Sequence, residues 1–366
     1  MAKPQRRAVK IARAEKKSLK IKVDHLADLQ LAIAGKDKYA EVLRFEDPTV
    51  YGHVKGFCTT RSIGIDAATQ TNGLPFGRLV EVYGAEQTGK TTLTDHVMAQ
   101  TQALGGVCAV YDSEERKDKQ YAQSLGVDVA KLLSIQPEHK TIEAAIETTR
   151  RALDYWIAEG LTAVPLCIVW DSLAGMPTVE EIENPTTKQP GVAAREVRRA
   201  MRQLMTKVAR ANALFLVTNQ QYEKIGGFSP TPGAKKSTYG GGGIRYAATM
   251  RLEMIRTGPL KAGSPGPAVG IEGLCRIFKN SMAAPRDEAF HIEWGRGFQN
   301  AATILEKLKD HRYITPGATY NFAAQGHQPL SWKNGWRGLA DLLATDPAAY
   351  KLMTDIYLGL PHGVPR

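Results

Sequence analysis

Residues Gly84-Ala85-Glu86-Gln87-Thr88-Gly89-Lys90-Thr91 follow the pattern GxxxxGK[ST], and they constrain the fold of this chain more than any other stretch. The context fits as well as the pattern. An apolar run at 79–83 precedes the loop and a stretch of helical spacing at 90–104 follows it, so a strand delivers the loop and a helix starts at its end. The first N–H groups of a helix lack intrahelical partners and sit at the positive end of its dipole, which makes such a loop an anion site for phosphates. Lys90 is placed to neutralise β and γ oxygens, and the Thr91 hydroxyl to complete the coordination of Mg²⁺, with Thr92 in the same binding turn. The expected ligands are ATP and Mg²⁺. Binding alone does not establish hydrolysis.

The rest of the chain repeats the strand-then-helix order. Apolar runs at 107–111, 166–170 and 213–218 alternate with helical stretches at 141–157 and 192–210, and further strands are expected at 247–255, 273–278 and 289–293. The pattern predicts an α/β fold, a P-loop ATPase core with a mostly parallel central sheet. In the helix 192–210, Met201, Leu204, Met205 and Val208 form the buried stripe, while Arg195, Arg198, Arg199 and Arg202 face outward. After 299 the pattern changes to helices at 304–308, 332–343 and 347–360 separated by Gly and Pro turns, a small C-terminal α/β domain over 299–366. Before the core, 25–39 has helical spacing and 41–45 suits a short strand. A unit that small buries no core of its own, so it packs either on its own core or on a neighbouring subunit. The expected segments are thus a basic arm at 1–24, a helix and strand at 25–46, the core at 47–298 and the terminal domain.

Lys and Arg number 48 against 37 Asp and Glu, a formal net charge of +11. The arm is the extreme case, with nine basic residues against Glu15 and Asp24. Such a segment suits a polyanion such as nucleic acid, or serves only as a solubilising tail. Cys58, Cys108, Cys167 and Cys275 are far apart with no CxxC spacing, which points to buried thiols rather than a disulfide framework or a zinc site. The longest apolar run, 163–170, is too short to span a bilayer, and no secretory signal is read at the start, so a cytoplasmic protein is expected.

Hydrolysis needs further groups at the same sheet edge. Asp171 ends the apolar strand 166–170 and is expected to hold Mg²⁺ and its water. Asp112, Glu114 and Glu115 follow the strand 107–111, expected beside the loop strand; Glu114 is the candidate for activating water, Glu115 pointing elsewhere. Asn219 and Gln220 close the strand 213–218, where an amide can sense a γ-phosphate and pull on the next loop. That loop, 221–239, mixes lysines, glycines and aromatics, and a second, 176–191, follows the Asp171 strand. Both suit a phosphate backbone with bases stacked beside it.

Taken in order, these motifs resemble the RecA family of homologous-recombination ATPases. Besides the P-loop, the resemblance rests on Val80-Glu81-Val82-Tyr83, Tyr111-Asp112-Ser113-Glu114, Tyr121-Ala122-Gln123-Ser124-Leu125-Gly126-Val127, Ile168-Val169-Trp170-Asp171-Ser172, Ala193-Ala194-Arg195, Thr218-Asn219-Gln220 and Lys279-Asn280-Ser281-Met282-Ala283-Ala284-Pro285, and it covers roughly 26–360.

The resemblance implies an ATP-dependent recombinase that forms helical filaments on single-stranded DNA and exchanges strands with duplex DNA, in a bacterial or phage-infected cell, with single-strand-binding and mediator proteins as further partners. It makes Glu114 the catalytic glutamate, Tyr121 the residue stacked on adenine, Asp118 an adenine-side contact and Gln220 the γ-phosphate sensor. It makes 176–191 and 221–241 the DNA-binding loops, with Lys188, Arg195, Arg198, Lys224, Lys235, Lys236, Gly240, Gly241 and Gly242 as the DNA-facing set. The segment 25–46 becomes the polymerisation element and 299–366 an accessory domain that gathers duplex DNA. ATP then lies between protomers, with Lys279, Asn280 and Arg245 reaching it across the interface. One departure stands out: a second cross-interface lysine is replaced here by Ser281. The family's acidic C-terminal extension is not read in the final residues, which implies weaker self-inhibition of DNA binding. A ring-forming helicase on a related core and a DNA-binding scaffold using ATP only as an assembly switch are the rival readings.

Overall fold

The computed structural model describes residues 29, 30, 32, 33, 44–47, 50, 53–184, 191–223, 236–263 and 266–361, with the backbone alone at 222, 223, 236 and 237. The chain forms two compact units, Met1–His53 and Val54–Arg366. In the first, 29, 30, 32 and 33 are helical, as the spacing predicts. The strand expected at 41–45 is not continued at its end: residues 44–47 make a turn closed by the Asp47 N–H donating to the Arg44 carbonyl at 2.9 Å. The basic arm, most of the 25–39 helix and 41–43 lie outside the described residues.

The second unit opens with a small antiparallel ribbon, β1 (Phe57–Cys58) and β2 (Leu74–Pro75), around helix α1 (Ile63–Thr69). Strand and helix then alternate: β3 (Leu79–Gly84), α2 (Lys90–Ala103), β4 (Val107–Asp112), α3 (Lys119–Ser124), β5 (Leu132–Ser134), α4 (Ile142–Ala158), β6 (Leu166–Asp171), α5 (Val179–Glu183), α6 (Val192–Arg210) and β7 (Ala213–Glu223). There follow β8 (Lys236–Thr238), α7 (Gly242–Ala247), β9 (Met250–Lys261), β10 (Ala268–Asn280), β11 (Asp287–Glu293) and β12 (Gly297–Phe298). The main sheet has the order β12-β11-β10-β9-β3-β7-β6-β4-β5. It is parallel from β5 to β9 and antiparallel beyond, because β9 to β12 are joined by short reversals rather than helical crossovers. One expectation is corrected here: β4 is not beside β3, from which β7 and β6 separate it. The carboxylates after β4 still reach the loop's edge, since parallel strands all end there.

The parallel strands are apolar throughout because both faces are covered. Val80, Val82, Cys108, Val110, Cys167, Val169, Leu214 and Leu216 pack with Leu93, Val97 and Met98 of α2 on one face. Their sequence neighbours Leu79, Tyr111, Ile168, Trp170, Phe215 and Val217 pack with α4 and α6 on the other. Trp170 meets Phe215 edge-on at 4.9 Å and donates from its indole to Thr149 at 3.0 Å. In α6, Met201, Leu204 and Val208 are buried, Met205 only partly, and the four arginines are exposed. All four cysteines are buried free thiols.

Beyond β12, α8 (Asn300–Asp310), β13 (Ile314–Thr315), β14 (Tyr320–Phe322), β15 (Leu330–Trp332), α9 (Gly335–Thr345) and α10 (Pro347–Gly359) share an apolar cluster with Ile63 and Ala67 of α1. The buried Glu288 carboxylate of β11 accepts from Lys307 of α8 at 2.8 Å and from the Tyr357 hydroxyl of α10 at 3.2 Å, tying these helices to the sheet. Two further expectations shift. The strand expected from 247 begins at Met250, because Ala247 ends α7, and the helix expected from 332 begins at Gly335, because Asn334 takes a left-handed conformation at φ 63° while Trp332 stays in β15.

His96 of α2 is buried against Phe298, ring centroids 5.0 Å apart, and its Nε2 accepts the Phe298 N–H at 3.2 Å. Its Nδ1, the proton-bearing nitrogen of that tautomer, has no acceptor among the described residues. Burial, with Arg61 adding to it, lowers its pKa from 6.5 to about 4. The unfolded chain therefore takes up a proton near pH 6.5 that the folded chain refuses until about pH 4, so stability is lost as pH falls through that window. The expected loss is about 3 kcal/mol by pH 4. It is checked by urea midpoints from pH 7 to 4, where His96→Gln should flatten the slope by that amount.

Candidate nucleotide site and its links to the loops

The loop leaves β3 at Gly84 and enters α2 at Lys90. Two of its glycines are fixed by close approach. At Gly84 a Cβ would lie 2.2 Å from the Met254 carbonyl oxygen, and at Gly89, which caps α2 at φ 90°, 2.3 Å from the Ile292 Cδ1. Ala85, Glu86 and Gln87 are exposed, Gln87 left-handed at φ 57°, while Thr88 is buried and donates to the Ala85 carbonyl at 3.0 Å. Lys90 donates to the carbonyls of Gly84 at 3.2 Å and Ala85 at 2.6 Å, holding its ammonium inside the loop. Burial lowers its pKa, opposed by the carboxylates of Asp171, Glu114 and Glu86.

Thr91 donates to Asp171 Oδ2 at 3.0 Å, and the Thr218 hydroxyl of β7 holds the other oxygen, Oδ1. A hydroxyl and a carboxylate side by side are hard oxygen donors. No cluster of three or more His, Cys, Asp or Glu side chains fit to hold a metal exists among the described residues. That set suits Mg²⁺, which keeps several waters and shares one or two protein ligands with phosphate oxygens.

Three strand ends converge on Glu114. Its Oε1 accepts from the Ser172 hydroxyl after β6 at 2.7 Å and from Gln220 Nε2 in β7 at 3.3 Å, and its Oε2 pairs with Arg116 at 3.1 Å. Ser113 holds the turn, donating to the Ser172 carbonyl at 2.7 Å and accepting the Ser172 N–H at 3.0 Å. Glu115 points away, to Lys140 at 3.1 Å, and Lys140 also donates to the Asp112 carbonyl at 2.7 Å. Asp118 caps α3, accepting the Tyr121 N–H, and the Tyr121 hydroxyl lies 2.8 Å from Thr92 Oγ1 in α2, so both stand beside the loop's helix.

Gln220 is anchored from behind by a buried network. Asn219 Oδ1 accepts the Gln220 N–H, and its Nδ2 donates both to Glu81 of β3 and to the Tyr239 carbonyl, each at 2.9 Å. Glu81 is also paired with Arg251 of β9, whose guanidinium lies 4.7 Å from the Tyr83 ring centroid. The loop strand, the Gln220 strand and the return end of the second loop thus share one set of buried hydrogen bonds. Sequence reading missed Ser172, Thr218, Glu81 and Arg251 as members, because only the sheet order brings them together; the run Thr218-Asn219-Gln220 was the one local signal.

The first loop is more ordered than expected: its first half forms α5, with a capping box in which the Thr178 hydroxyl accepts the Glu181 N–H and Glu181 accepts the Thr178 N–H. Strand β7 runs to Glu223 and pairs with β8, so the second loop is flanked by a hairpin. Lys188, Lys224 and Lys235 lie outside the described residues, and of Lys236 only the backbone is described, beginning β8. Arg195 and Arg198 line a groove of about 680 Å³ with Gly191, Ala194, Glu196, Arg199 and Arg202. Arg195 pairs with Glu180 at 3.6 Å. The glycines let the returning chain press on α6: a Cβ at Gly240 would come within 3.3 Å of Val197, and one at Gly241 within 3.1 Å of Ala194. Gly242 begins α7.

Lys279, Asn280 and Arg245 are not brought to the phosphate loop of their own chain. Lys279 and Asn280 pair with Arg251 and Met250, level with the start of β3, whereas the loop leaves its end. Lys279 donates to the carbonyls of Arg245 and Tyr246 at 3.1 and 3.0 Å, and burial lowers its pKa. Asn280 accepts from the Met282 and Ala283 N–H groups and donates to the Thr69 carbonyl, which shapes its turn, while Arg245 is exposed.

A GxxxxGK[ST] loop between β3 and α2, a hydroxyl–carboxylate pair of the kind that suits Mg²⁺ and a carboxylate at the ends of neighbouring parallel strands define a P-loop ATPase. Residues 39–299 match the RecA N-terminal domain family. The chain is 37% identical over 267 residues to Protein RecA of Azoarcus sp. (strain BH72), covering 72% of this chain and 74% of that protein. The chain belongs to the RecA family, the ATP- and Mg²⁺-dependent recombinases that bind DNA, form helical filaments and exchange strands. No helix among the described residues is long and apolar enough to cross a membrane.

The Asn219 network gives a direct test. Asn219→Asp removes both Nδ2 donations and sets a second carboxylate against Glu81, so a loss of about 2–4 kcal/mol in unfolding free energy is expected. Chemical denaturation measures it, and Asn219→Asp combined with Glu81→Gln should recover part of the loss.

Proposed function

We propose that ATP lies in the loop 84–91 with its far end facing Glu114, and that Glu114 orients and deprotonates the attacking water. The meeting of Ser172, Gln220 and Glu114 at the strand end where Asp171 holds Thr91 of the loop is the observation that carries this reading. Lys90 exchanges its carbonyl partners for phosphate oxygens, which are better acceptors for an ammonium. Mg²⁺ held through Thr91 and Asp171 supplies charge that offsets the negative charge on the transferring phosphoryl group. Gln220 is the sensor: a terminal phosphate competes with Glu114 for its Nε2–H, and any movement of Gln220 passes along β7 and through Asn219 to both ends of the loop 221–241. Tyr121 and Asp118 face the base. Lys279, Asn280 and Arg245, remote from the loop in their own chain, reach the phosphates of the neighbouring protomer, with Ser281 leaving that side one cation short.

In this reading DNA runs along the Arg195 and Arg198 groove and the two loops, with Lys188, Lys224, Lys235, Lys236 and the glycines Gly240 to Gly242 against its backbone. The segment 25–46 joins protomers, and 299–366 gathers duplex DNA. Nucleotide state then sets the grip on DNA, and base pairing selects the partner.

The test is strand exchange with homologous and scrambled duplexes. Joint molecules should form only with homology and only with ATP or a slowly hydrolysed analogue, and Lys90→Ala should form none. Glu114→Gln should retain ATP-dependent DNA filaments while phosphate release falls by about 100-fold or more. Rapid hydrolysis by that variant would reject the role given to Glu114.

A further inference from the structure

Arg116 is placed to do something the site's other residues do not. It pairs with Glu114 Oε2 at 3.1 Å, its side chain is 78% exposed, and Glu114 is its only ionic partner among the described residues. The loop carrying it is fixed on both sides. Lys117 pairs with the buried Asp95 and donates its N–H to Asp112 at 2.9 Å, Lys140 binds Glu115, and Glu115 is left-handed at φ 55°. The neighbouring cations are therefore committed to structure, while Arg116, itself exposed, is held by one ion pair to a partly covered carboxylate, and a pair open to solvent on one side is weak. Glu114 in turn accepts from Ser172, whose neighbour Asp171 holds Thr91 next to Lys90, so the Arg116 pair lies at the same strand-end edge as the phosphate loop.

We propose that Arg116 exchanges partners with the nucleotide state: it holds Glu114 Oε2 when the loop is empty or filled with a diphosphate, and moves to the terminal phosphate when a triphosphate binds. The charges favour the exchange. A guanidinium forms paired hydrogen bonds with phosphate as readily as with carboxylate, and a terminal phosphate carries more negative charge than a single carboxylate. Its departure frees Oε2 to accept a proton from water, so one side chain both reports the γ-phosphate and releases the base that activates the attacking water. Arg116 thereby discriminates ATP from ADP alongside Gln220, without help from a neighbouring protomer. The inference rests on assigning the triphosphate to the loop 84–91.

The experiment is nucleotide affinity of the full-length protein without DNA, measured with ADP and with a slowly hydrolysed ATP analogue for the wild type, Arg116→Ala, Arg116→Lys and Lys90→Ala. Arg116→Ala should lose about tenfold in affinity for the triphosphate and none for ADP, and Arg116→Lys should regain part of the loss. An unchanged ratio of the two affinities in Arg116→Ala, or equal weakening of both, overturns the exchange. Intact binding of both nucleotides by Lys90→Ala would instead remove the assignment of the loop itself, and the exchange with it.

Discussion

The unpaired N–H groups at the start of α2 are the constraint to which the rest of this protein answers. They cannot be satisfied within the helix, so they suit a phosphate, and β3 ends at Gly84, just before the loop that leads to them. A parallel sheet then does the remaining work. Because β4, β6 and β7 all run the same way as β3, their ends deliver Glu114, Asp171 with Ser172, and Gln220 to one edge, although β4 lies three strands from β3.

That edge is braced by buried groups behind Gln220, whereas Arg116 is held by a single ion pair. Glu81, Arg251 and Asn219 are buried in the sheet behind Gln220, Glu81 bound by both of the others, and tie the loop strand to the return of the second loop. A buried polar network whose members are satisfied is rigid and specifies one arrangement of the strands that carry it. Lys90 and Arg116, by contrast, hold partners that a phosphate can replace.

The separation of Lys279 from the loop of its own chain has a simple consequence for assembly. The register of β9, β10 and β3 fixes it at the beginning of the sheet's central strand, so a lysine there serves a phosphate only if another copy brings its own loop to it. Asn280 and the turn after it brace that position through the Thr69 carbonyl.

Much of this was legible in the residues. The pattern Gly84 to Thr91 determined the strand, loop and helix around it, and the doubly apolar runs at 107–111, 166–170 and 213–218 determined a covered parallel sheet, because only strands buried on both faces lose their alternation. Asp171 and Glu114 stood out as carboxylates at strand ends. The sequence could not say that β7 and β6 come between β3 and β4, that α5 occupies the first loop, or that Ser172, Thr218 and Arg116 close around the two carboxylates. Strand order and side-chain partners are long-range facts, set by which faces pack and which buried polar groups find each other. Local spacing carries the period of an element but not the identity of its neighbour, and for that the folded sheet was required.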